Sequence, residues 1–400
     1  MGGIGKVEDL STTELSKTEL SKTELSKKED LILALNSGSS SLKFGVYFRG
    51  ASDEEPLLTG SAEGIGHNNG SFHIRSADGK TLVQRECVHE SQVHALSLLA
   101  TTLRDHIHTG PVAVGHRIVH GGPNLVRHQL ITPQLVDELS AAIHFAPLHI
   151  PQALRLITSA QSIFPAAAHF ACFDDAFHQT LPEVASRFAL PRRYFEAGIR
   201  RYGFHGISYE SLVYRLGPKM PSRAIFAHLG NGSSLCALLD GKSIDTTMGL
   251  TPTGGIPMGT RSGDLDPGVI IYLLRNEKLD ASKLETLLNR ESGLFALSSG
   301  QSDVKTLTAQ ASSGNKEADL ALEIFAVSVR KVIGAYMALL GGVDLLIFTG
   351  GIGEHSDLVR STATKGLDVL GLSADKIQIV AAQEEQQIAR HCRALMARGR

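Results

Sequence analysis

Residues 31–48 read LILALNSGSSSLKFGVYF, and this stretch decides the fold class. Two short apolar runs typical of buried strands flank a turn of small residues, so the pattern predicts a β-hairpin. A comparable arrangement returns at residues 224–242, where AIFAHL, GNGSS and LCALLDGK follow one another. One such unit in each half of the chain indicates a duplicated domain. Chance recurrence is the alternative, because glycine and serine are common in turns.

A third glycine-rich turn, TGGIGE at residues 349–354, follows the strand-like run VDLLIF. Before it, residues 317–340 have the apolar spacing of a long helix, which ends at Gly341-Gly342. Other strand-like runs, such as PVAVGHRIV and AAAHFACF, alternate with helical stretches such as VHALSLLATTLRDHI. This alternation predicts an α/β fold.

The chain has 400 residues, too many for one compact core, which predicts two domains. Its formal net charge of −2 gives no indication of a nucleic-acid or acidic-lipid partner. The four cysteines lie far apart with no CxxC pair, so neither structural zinc nor a disulfide framework is expected. No apolar run approaches the roughly 20 residues of a membrane span, and no secretory signal is visible. We therefore expect a soluble cytoplasmic protein without a membrane or nucleic-acid partner.

The first 29 residues differ from the rest because TELSK occurs three times in succession, at 13–17, 18–22 and 23–27. A five-residue period rotates the leucines by about 140° at each step along a helix, so they do not form one apolar stripe. We expect a flexible or weakly helical extension, with a partner-binding tail as the less favoured alternative.

The three glycine-rich turns, each after a buried strand, indicate contact with phosphate. Glycine lets a loop approach a polyphosphate and direct backbone N–H groups at it without a side-chain clash. The chain has no GxxxxGK[ST] sequence, so it is not a P-loop enzyme, and it has no GxGxxG between a strand and a helix. For any single turn, a tight hairpin without a ligand is the alternative.

Charged side chains follow two of the strand-like runs. Arg117, in GHRIVHGG at residues 115–122, offers a planar fork that matches a carboxylate or phosphate, with a surface salt bridge as the alternative. Asp174 and Asp175 follow AAAHFACF, at a strand end where ligands usually bind and where magnesium would find oxygen ligands. Adjacent strand residues point opposite ways, so at most one of the two faces the site, and a helix N-cap is the alternative.

Two further segments, RYGFHG at residues 201–206 and MGTRSGDLDPG at residues 258–268, combine glycine with cationic, apolar or acidic groups. Neither is expected to be regular secondary structure, and loop residues of this kind are often functional. His205 and Arg261 are the candidates within them for stabilising a charged transition state.

Taken together, these segments resemble the acetate kinase (acetokinase) family from about Leu31 to the C-terminus. The resemblance rests on eight sequences in the family's order: NSGSSSLKF, HRIVHGG, APLHIP, FDDAFH, RYGFHG, HLGNGSS, MGTRSGDLDPG and GGIGE. It implies two duplicated ribonuclease H-like (actin-like ATPase) α/β domains with a nucleotide cleft between them, closure on binding, and a homodimer. The implied parts are an extension at 1–29, an N-terminal domain at 30–178, a nucleotide-binding domain at 179–384, and a C-terminal helix at 385–400 that packs back on the N-terminal domain.

The resemblance also implies roles for individual residues. Those implied at the transferring phosphoryl group are Arg117, Asp174, His205 and Arg261. Those implied to bind the nucleotide are Asn36, Lys43, His228, Leu229, Gly230, Asn231, Gly232, Gly350, Gly351, Ile352, Gly353 and Glu354. The acyl group is implied to bind Arg117, Val119, Leu148, Phe204 and Pro252, and the metal is implied to bind near Asn36 and Glu384.

Four places depart from the family's usual sequence, and one of them is the stretch TPTGGIPMG at residues 251–259. RYGFHG is followed by Ile207-Ser208-Tyr209, where Thr-Ser-His is usual. His355 follows GGIGE where asparagine is usual, and Glu384 is preceded by AAQ instead of threonine and an acidic or amide residue. None of these departures involves the two candidate arginines.

The implied activity is that of an acetate kinase, in which the γ-phosphoryl group of ATP moves directly to acetate, with magnesium or manganese as the metal. A carboxylic acid is ionised at neutral pH, so no strong general base is needed and the difficulty is repulsion between two anions. We therefore expect Arg117 and Arg261 to stabilise charge, Asp174 to support magnesium and geometry, and His205 to donate a hydrogen bond to the phosphoryl oxygens. Propionate or butyrate kinase is the alternative within the family, and a nucleotide-switched binding protein is the alternative of a different class.

Overall fold

The computed structural model describes residues 30–38, 40–50, 55–107 and 109–398. The TELSK repeats lie outside this part of the chain. The expectation of a flexible or weakly helical extension therefore concerns residues outside the described ones.

The described residues form strands, α-helices and short 3-10 helices. The strands are β1 (Leu31–Ser37), β2 (Ser41–Phe48), β3 (Pro56–Glu63), β4 (Ser71–Ser76), β5 (Thr81–Glu86), β6 (Ala113–Ile118), β7 (Gln129–Leu130), β8 (Ala168–Phe173), β9 (Arg223–Leu229), β10 (Ser233–Leu239), β11 (Lys242–Thr246), β12 (Leu345–Thr349) and β13 (Ile377–Ile379). The α-helices are α1 (Gln92–Ile107), α2 (Pro133–Ala141), α3 (Ile150–Ile163), α4 (Glu183–Ser186), α5 (Arg192–Glu196), α6 (Gly206–Leu216), α7 (Pro267–Asn276), α8 (Ala281–Arg290), α9 (Gly293–Leu297), α10 (Val304–Ser312), α11 (Lys316–Leu340), α12 (Gly350–His355), α13 (Asp357–Thr364) and α14 (Glu384–Arg398). The 3-10 helices are Ile143–Phe145, Ala176–Thr180, Gly217–Lys219, Asp368–Leu370 and Ala374–Lys376. Among these residues, no helix combines the length and apolar character needed to cross a membrane.

The first sheet has the strand order β5-β4-β3-β2-β1-β6-β8-β7. β1 and β2 pair antiparallel with Asn36 opposite Lys43, which confirms the hairpin predicted at residues 31–48. β6 pairs parallel with β1, and β8 pairs parallel with β6. Because successive side chains of a strand face opposite sides, Leu33 of β1 packs with α1 and α3, whereas Ile32 packs with α14.

The second sheet has the order β11-β10-β9-β12-β13. β9 and β10 form the second predicted hairpin, and β11 pairs antiparallel with β10. β12 pairs parallel with β9, and β13 pairs parallel with β12. The strands β3-β2-β1-β6-β8 of the first sheet have the same order and directions. The recurring sequence pattern therefore reflects a duplicated unit rather than chance.

Helix α11 covers the second sheet with a continuous buried face. The side chain of Asn315 caps its start by accepting hydrogen bonds from the N–H groups of Glu317 and Ala318. Gly341, in the left-handed conformation with φ 67°, ends it. The helix and the stop predicted from residues 317–342 are both confirmed.

The C-terminal helix α14 packs on the face of the first sheet opposite α1 and α3. Ile388 and Cys392 are fully buried against Ile32 and Ala34 of β1. A Cβ on Gly115 of β6 would lie 2.4 Å from a methyl carbon of Ile388, so glycine permits the close approach of this helix. The packing fixes where the first turn of α14 lies relative to β1.

The third glycine-rich stretch is not the turn that the sequence predicts but the start of helix α12. Gly350 has φ 76°, and a Cβ there would come within 2.7 Å of the carbonyl oxygen of Leu229. The carboxylate of Glu354 accepts a hydrogen bond from the N–H of Gly350 at 3.0 Å. Glycine thus permits the sharp change from strand to helix, and Glu354 satisfies an N–H group that has no partner within the helix.

Candidate active site

A cavity of about 1190 Å³ is lined by residues from both sheets and from the loops that follow their strands. Most of the residues singled out from the sequence line it. They are Asn36, Lys43, Arg117, Val119, Asp174, Phe204, His205, His228, Gly230, Asn231, Gly232, Pro252, Arg261, Gly350, Gly351, Ile352, Glu354 and Glu384. The fold therefore brings together positions that are up to 348 residues apart in the sequence.

Three of the residues singled out from the sequence are not in this lining: Leu148, Leu229 and Gly353. Leu229 is fully buried in the core of the second sheet, because it faces the opposite side of β9 from His228. Gly353 lies inside α12, where its carbonyl oxygen accepts a hydrogen bond from Arg360 at 2.7 Å. At Leu148 the neighbouring His149 faces the cavity instead.

Arg117 and Asp174 meet because the ends of two parallel strands meet. β6 and β8 pair with Ile118 opposite Phe173, and the N–H of Asp174 donates to the carbonyl oxygen of Ile118 at 2.9 Å. The Arg117 Nη2 atom lies 2.6 Å from Asp174 Oδ2, and Nη1 donates to the carbonyl oxygen of Ser37 at 3.0 Å. Burial alone would lower the pKa of Arg117, but the carboxylates of Asp174 and Glu384 raise it above its ordinary value. Arg117 is therefore charged and held in place.

Asp174 is fully buried and also binds the start of helix α6. Its Oδ2 atom accepts from the backbone N–H of His205 at 3.0 Å, and Oδ1 accepts from that of Ile207 at 3.4 Å. The sequence left magnesium and a helix N-cap as alternatives for this carboxylate. The geometry supports a capping role, but at α6 rather than at the residues that follow Asp175. Asp175 points elsewhere and accepts from the N–H of Gly121 at 3.2 Å.

Arg261 reaches the same cavity from the loop between β11 and α7. Its Nη1 atom donates to the carbonyl oxygen of Pro252 at 3.2 Å. Burial and the positive charge of Arg117 lower the pKa of Arg261 to about 10. Two guanidinium groups that disfavour each other therefore share one cavity, which makes the cavity attractive to an anion.

The ring of His205 lies against a second histidine. His205 has φ 60° and precedes α6, and its ring stacks on His228 with 4.2 Å between ring centroids. His205 Nδ1 lies 2.8 Å from Ser234 Oγ, and Ser234 is paired across the sheet with His228. Burial lowers the pKa of His228, and burial lowers that of His205 well below its ordinary value of 6.5. Both rings are therefore neutral in this site at pH 7.

Two carboxylates at the start of α14 converge on Asn36. Asn36 Nδ2 lies 2.7 Å from Glu384 Oε2 and 2.8 Å from Glu385 Oε1. Burial and the charge of Glu384 raise the pKa of Glu385. Two neighbouring carboxylates form an oxygen-rich site that a divalent cation such as Mg²⁺ suits. Glu385 was not singled out from the sequence.

His149 is a further cavity residue that sequence reasoning missed. Burial lowers its pKa to about 3, and the charges of Arg261 and Arg117 contribute in the same direction. The signal was present in the sequence, because His149 belongs to the APLHIP segment. Its burial next to two arginines, which marks it as a site residue, depends on the fold.

A separate group of titratable residues joins three segments away from the cavity: His128, Glu210 of α6 and His391 of α14. The Nε2 atoms of His128 and His391 lie 3.3 and 2.7 Å from the two carboxylate oxygens of Glu210. The spacing would suit a metal, but Phe173 N–H donates to His128 Nδ1 at 3.0 Å, which places the proton of the neutral ring on Nε2. The geometry is that of a hydrogen-bonded link between the loop at His128 and helices α6 and α14.

Comparisons with known proteins agree with one another. A family model described as the acetokinase family matches residues 31–395. The acetate kinase of Methylocella silvestris is 38% identical over 397 residues, covering 91% of this chain and 98% of that protein. The propionate kinase of Yersinia enterocolitica is 40% identical over 359 residues, covering 86% and 87%. The crystal structure of Porphyromonas gingivalis acetate kinase matches with a TM-score of 0.80 and 31% identity, covering 92% of this chain and 100% of that one.

The structural match also bears on the fold. The two sheets repeat one strand order, and the matching crystal structure covers nearly the whole described chain. The predicted fold class, α/β with two duplicated actin-like ATPase domains, is therefore confirmed.

Proposed function

Because the chain belongs to the acetokinase family, we propose that it catalyses the reversible transfer of the γ-phosphoryl group of ATP to acetate, giving acetyl phosphate and ADP. It is a phosphotransferase with a carboxyl group as acceptor. One observation carries the proposal: Arg117 and Arg261 line one cavity with the glycines at 232 and 350. A nucleotide-switched binding protein would not need two arginines at a small apolar pocket.

The reaction is a direct in-line displacement. A carboxylate oxygen of acetate forms a bond to the γ-phosphorus while the bond from that phosphorus to the bridging oxygen of ADP breaks, and ADP leaves with the electron pair. Acetate is already ionised, so its oxygen attacks without losing a proton. Arg117 and Arg261 offset the repulsion between the two anions by presenting guanidinium groups to the transferring group.

Asp174 acts through Arg117 in this account. Its carboxylate lies 2.6 Å from the guanidinium group and is itself held by two N–H groups at the start of α6. It is therefore a positioning residue for Arg117, and the support of magnesium expected of it from the sequence stays a prediction. His205 donates a hydrogen bond from Nε2 to the phosphoryl oxygens whenever that nitrogen carries a proton.

The acyl group occupies the apolar part of the cavity formed by Val119, Phe204 and Pro252. Phe204 packs in a small apolar cluster with which Val119 is in contact, so neighbouring side chains hold both residues in place. One methylene in such a pocket is worth only ~1–3 kcal/mol. Propionate or butyrate is therefore the alternative acceptor, and the similarity to a relative named propionate kinase supports testing it.

The nucleotide lies along the other side of the cavity. Its phosphates approach Lys43, Asn231 and Gly232, and its adenosine lies near Gly351 and Ile352. Asn36 and Glu384, with Glu385 beside them, would hold Mg²⁺, or Mn²⁺ in its place. Such a cation, when bound with ATP, supplies positive charge that offsets the charge of the phosphate groups.

The test is to trap the acyl phosphate with hydroxylamine. Purified protein is incubated with ATP, Mg²⁺ and hydroxylamine, and acetate, propionate and butyrate are supplied in turn. We expect acyl hydroxamate to form with acetate at the highest kcat/KM. A higher value for propionate or butyrate would change the substrate, and ATP hydrolysis without hydroxamate from any acid would contradict the proposal.

We further propose that the protein is a homodimer and that helix α7 contributes to the interface. None of the residues of α7 is buried, and Val269, Ile271, Tyr272 and Leu274 are each between 41% and 57% exposed. A second copy of the chain would cover this apolar face. Light scattering after size-exclusion chromatography should give twice the mass of the 42.8 kDa chain, and Ile271→Lys should reduce it to one chain.

The remaining parts of the proposal concern domains and location. We propose an N-terminal domain at 30–178, a nucleotide-binding domain at 179–384 and a C-terminal helix at 385–400 that completes the first domain. The packing of α14 on β1 and β6 supports the last of these boundaries. We place the reaction in the cytoplasm, because the co-substrate ATP is supplied there.

A further inference from the structure

Three buried polar groups form a continuous hydrogen-bonded chain behind the cavity: the Tyr209 hydroxyl, Ser234 and the ring of His205. The Tyr209 oxygen lies 2.9 Å from the carbonyl oxygen of Ser234 and 2.6 Å from its hydroxyl oxygen. Ser234 Oγ lies 2.8 Å from His205 Nδ1. Tyr209 and Ser234 are fully buried, so water does not compete for these bonds. Tyr209 is also one of the positions that depart from the sequence usual in the family.

The order of donors and acceptors follows from counting hydrogens. The carbonyl oxygen of Ser234 can only accept, so the Tyr209 hydroxyl donates to it. Its hydrogen is then used, and the Tyr209 oxygen can only accept from the Ser234 hydroxyl. Ser234 Oγ has in turn used its own hydrogen and accepts from His205 Nδ1. All three contacts are satisfied only when the hydrogen of the neutral His205 ring lies on Nδ1.

The other ring nitrogen, Nε2, faces the cavity. A Cβ built on Gly232 would lie 3.3 Å from His205 Nε2 and 3.3 Å from Arg261 Nη1, so these two atoms flank the same glycine. The Asp174 carboxylate binds the backbone N–H of His205. The other titratable and charged groups that act on the ring are His228, Arg117, Arg261 and His178. Burial lowers the pKa of His205, and these four groups lower it further, so the ring is neutral before a substrate binds. Nε2 then carries a lone pair and no hydrogen.

We propose that Tyr209, acting through Ser234, fixes His205 as the Nδ1–H tautomer, so that Nε2 faces the phosphate site as a hydrogen-bond acceptor. The consequence of this tautomer for phosphate binding rests on the proposed function. A lone pair repels phosphoryl oxygens, so Nε2 takes a proton from solvent when phosphate groups bind, forming an N–H bond, and returns that proton when they leave. Tyr209 is therefore a positioning residue that couples phosphate binding to the uptake of one proton.

The tautomer is measured first, without substrate. In protein with ¹⁵N-labelled histidine, the ring nitrogen shifts of His205, assigned by their loss in His205→Gln, identify which nitrogen carries the proton. We expect Nδ1 in the unmodified protein. In Tyr209→Phe the buried Ser234 hydroxyl loses its acceptor and donates to Nδ1 instead, so the proton moves to Nε2. Tyr214→Phe, the same change at an exposed position of α6, is the matched control and should leave the proton on Nδ1.

A proton on Nε2 in the unmodified protein, or one that stays on Nδ1 in Tyr209→Phe, would overturn the proposal. If Tyr209→Phe fails to fold, Ser234→Ala serves instead, because it removes the acceptor of Nδ1–H and should also move the proton to Nε2. This readout needs no substrate, so it can fail while the kinase reaction stands, and it can succeed if the reaction is absent.

Proton uptake is measured second, by calorimetric titration of a non-hydrolysable ATP analogue with Mg²⁺, because its γ-phosphate takes the place of the transferring group. The titration is repeated in two buffers of different ionisation enthalpy at one pH. The unmodified protein and Tyr214→Phe should take up close to one more proton per bound analogue than Tyr209→Phe, whose His205 already presents an N–H group. Equal uptake by all three proteins would contradict the coupling. Absence of analogue binding by the unmodified protein would instead contradict the proposed function.

Discussion

Replacing Arg261 by methionine is expected to stabilise the substrate-free protein and at the same time to remove most of its activity. The pKa of Arg261 falls below its ordinary value to about 10 because burial and Arg117 disfavour its charge. A positive charge that is disfavoured in the folded state lowers the free energy of unfolding at every pH below the pKa that the group has in the folded protein. One pKa unit corresponds to about 1.4 kcal/mol, and the partial exposure of the Arg261 side chain reduces the energy that follows from the shift. The free energy of unfolding of the variant should therefore be higher by roughly 1–3 kcal/mol.

The loss of activity has a different origin. In the transition state the guanidinium group of Arg261 faces developing negative charge, and the removal of one such donor typically lowers kcat by ~10²–10³-fold. Unfolding by urea at pH 7 measures the stability, and the hydroxamate assay with acetate measures kcat. Arg261→Lys keeps the charge without the planar fork, so it should keep the lower stability and recover only part of kcat.

Arg290→Ala is the matched control, because Arg290 is an exposed arginine at the end of α8. It should change neither stability nor kcat. If Arg261→Met unfolds at a lower urea concentration than the unmodified protein, the account of two mutually unfavourable arginines is wrong. If it keeps near-normal kcat, the assignment of Arg261 to the transferring group is wrong.

Three other predictions follow from the structure. Burial would raise the pKa of Glu210, but hydrogen bonds from His128 and His391 lower it from 4.5 to about 2. The ionised Glu210 carboxylate therefore stabilises the folded protein above pH 4.5, and this stabilisation is lost as the pH falls towards 2. The unfolding free energy of the unmodified protein should therefore exceed that of Glu210→Gln by roughly 1–3 kcal/mol near pH 6 and converge with it at low pH; a difference independent of pH would contradict this. Glu384→Gln should raise the Mg²⁺ concentration needed for half-maximal activity by about tenfold or more, while an unchanged requirement would exclude Glu384 from the metal site. Deletion of residues 1–29 should leave kcat and KM for both substrates unchanged, and a large change in either would show that the TELSK repeats contribute to the site.

Much of the fold could be predicted because its signals are local. The hairpin of β1 and β2, the long helix α11 and its glycine stop each depend on residues close together in the sequence. Arg117 could be identified because a charged residue after a buried run lies at a strand end. The start of α12 could not, because glycine is a poor helix former and only Leu229 across the sheet explains why Gly350 is required.

The parts of the site that sequence reasoning missed depend on distant contacts. Glu385 becomes a site residue because α14 packs on β1 and places its first turn against Asn36. Tyr209 stands out in the sequence only as a departure from the residue usual in the family, and its role depends on Ser234, 25 residues later, being placed beside it. Neither contact has a period or a motif in the sequence, since each results from the packing of separate elements.

The central claim is that Arg117 and Arg261 contact one phosphoryl group during transfer. It is tested most directly by a crystal structure with ADP, Mg²⁺, acetate and a trigonal fluoride mimic of the transferring group. We expect both guanidinium groups within hydrogen-bond distance of the mimic, with the acetate carboxylate in line on its far side. A mimic bound with no guanidinium nitrogen of Arg117, or none of Arg261, within hydrogen-bond distance would contradict the account.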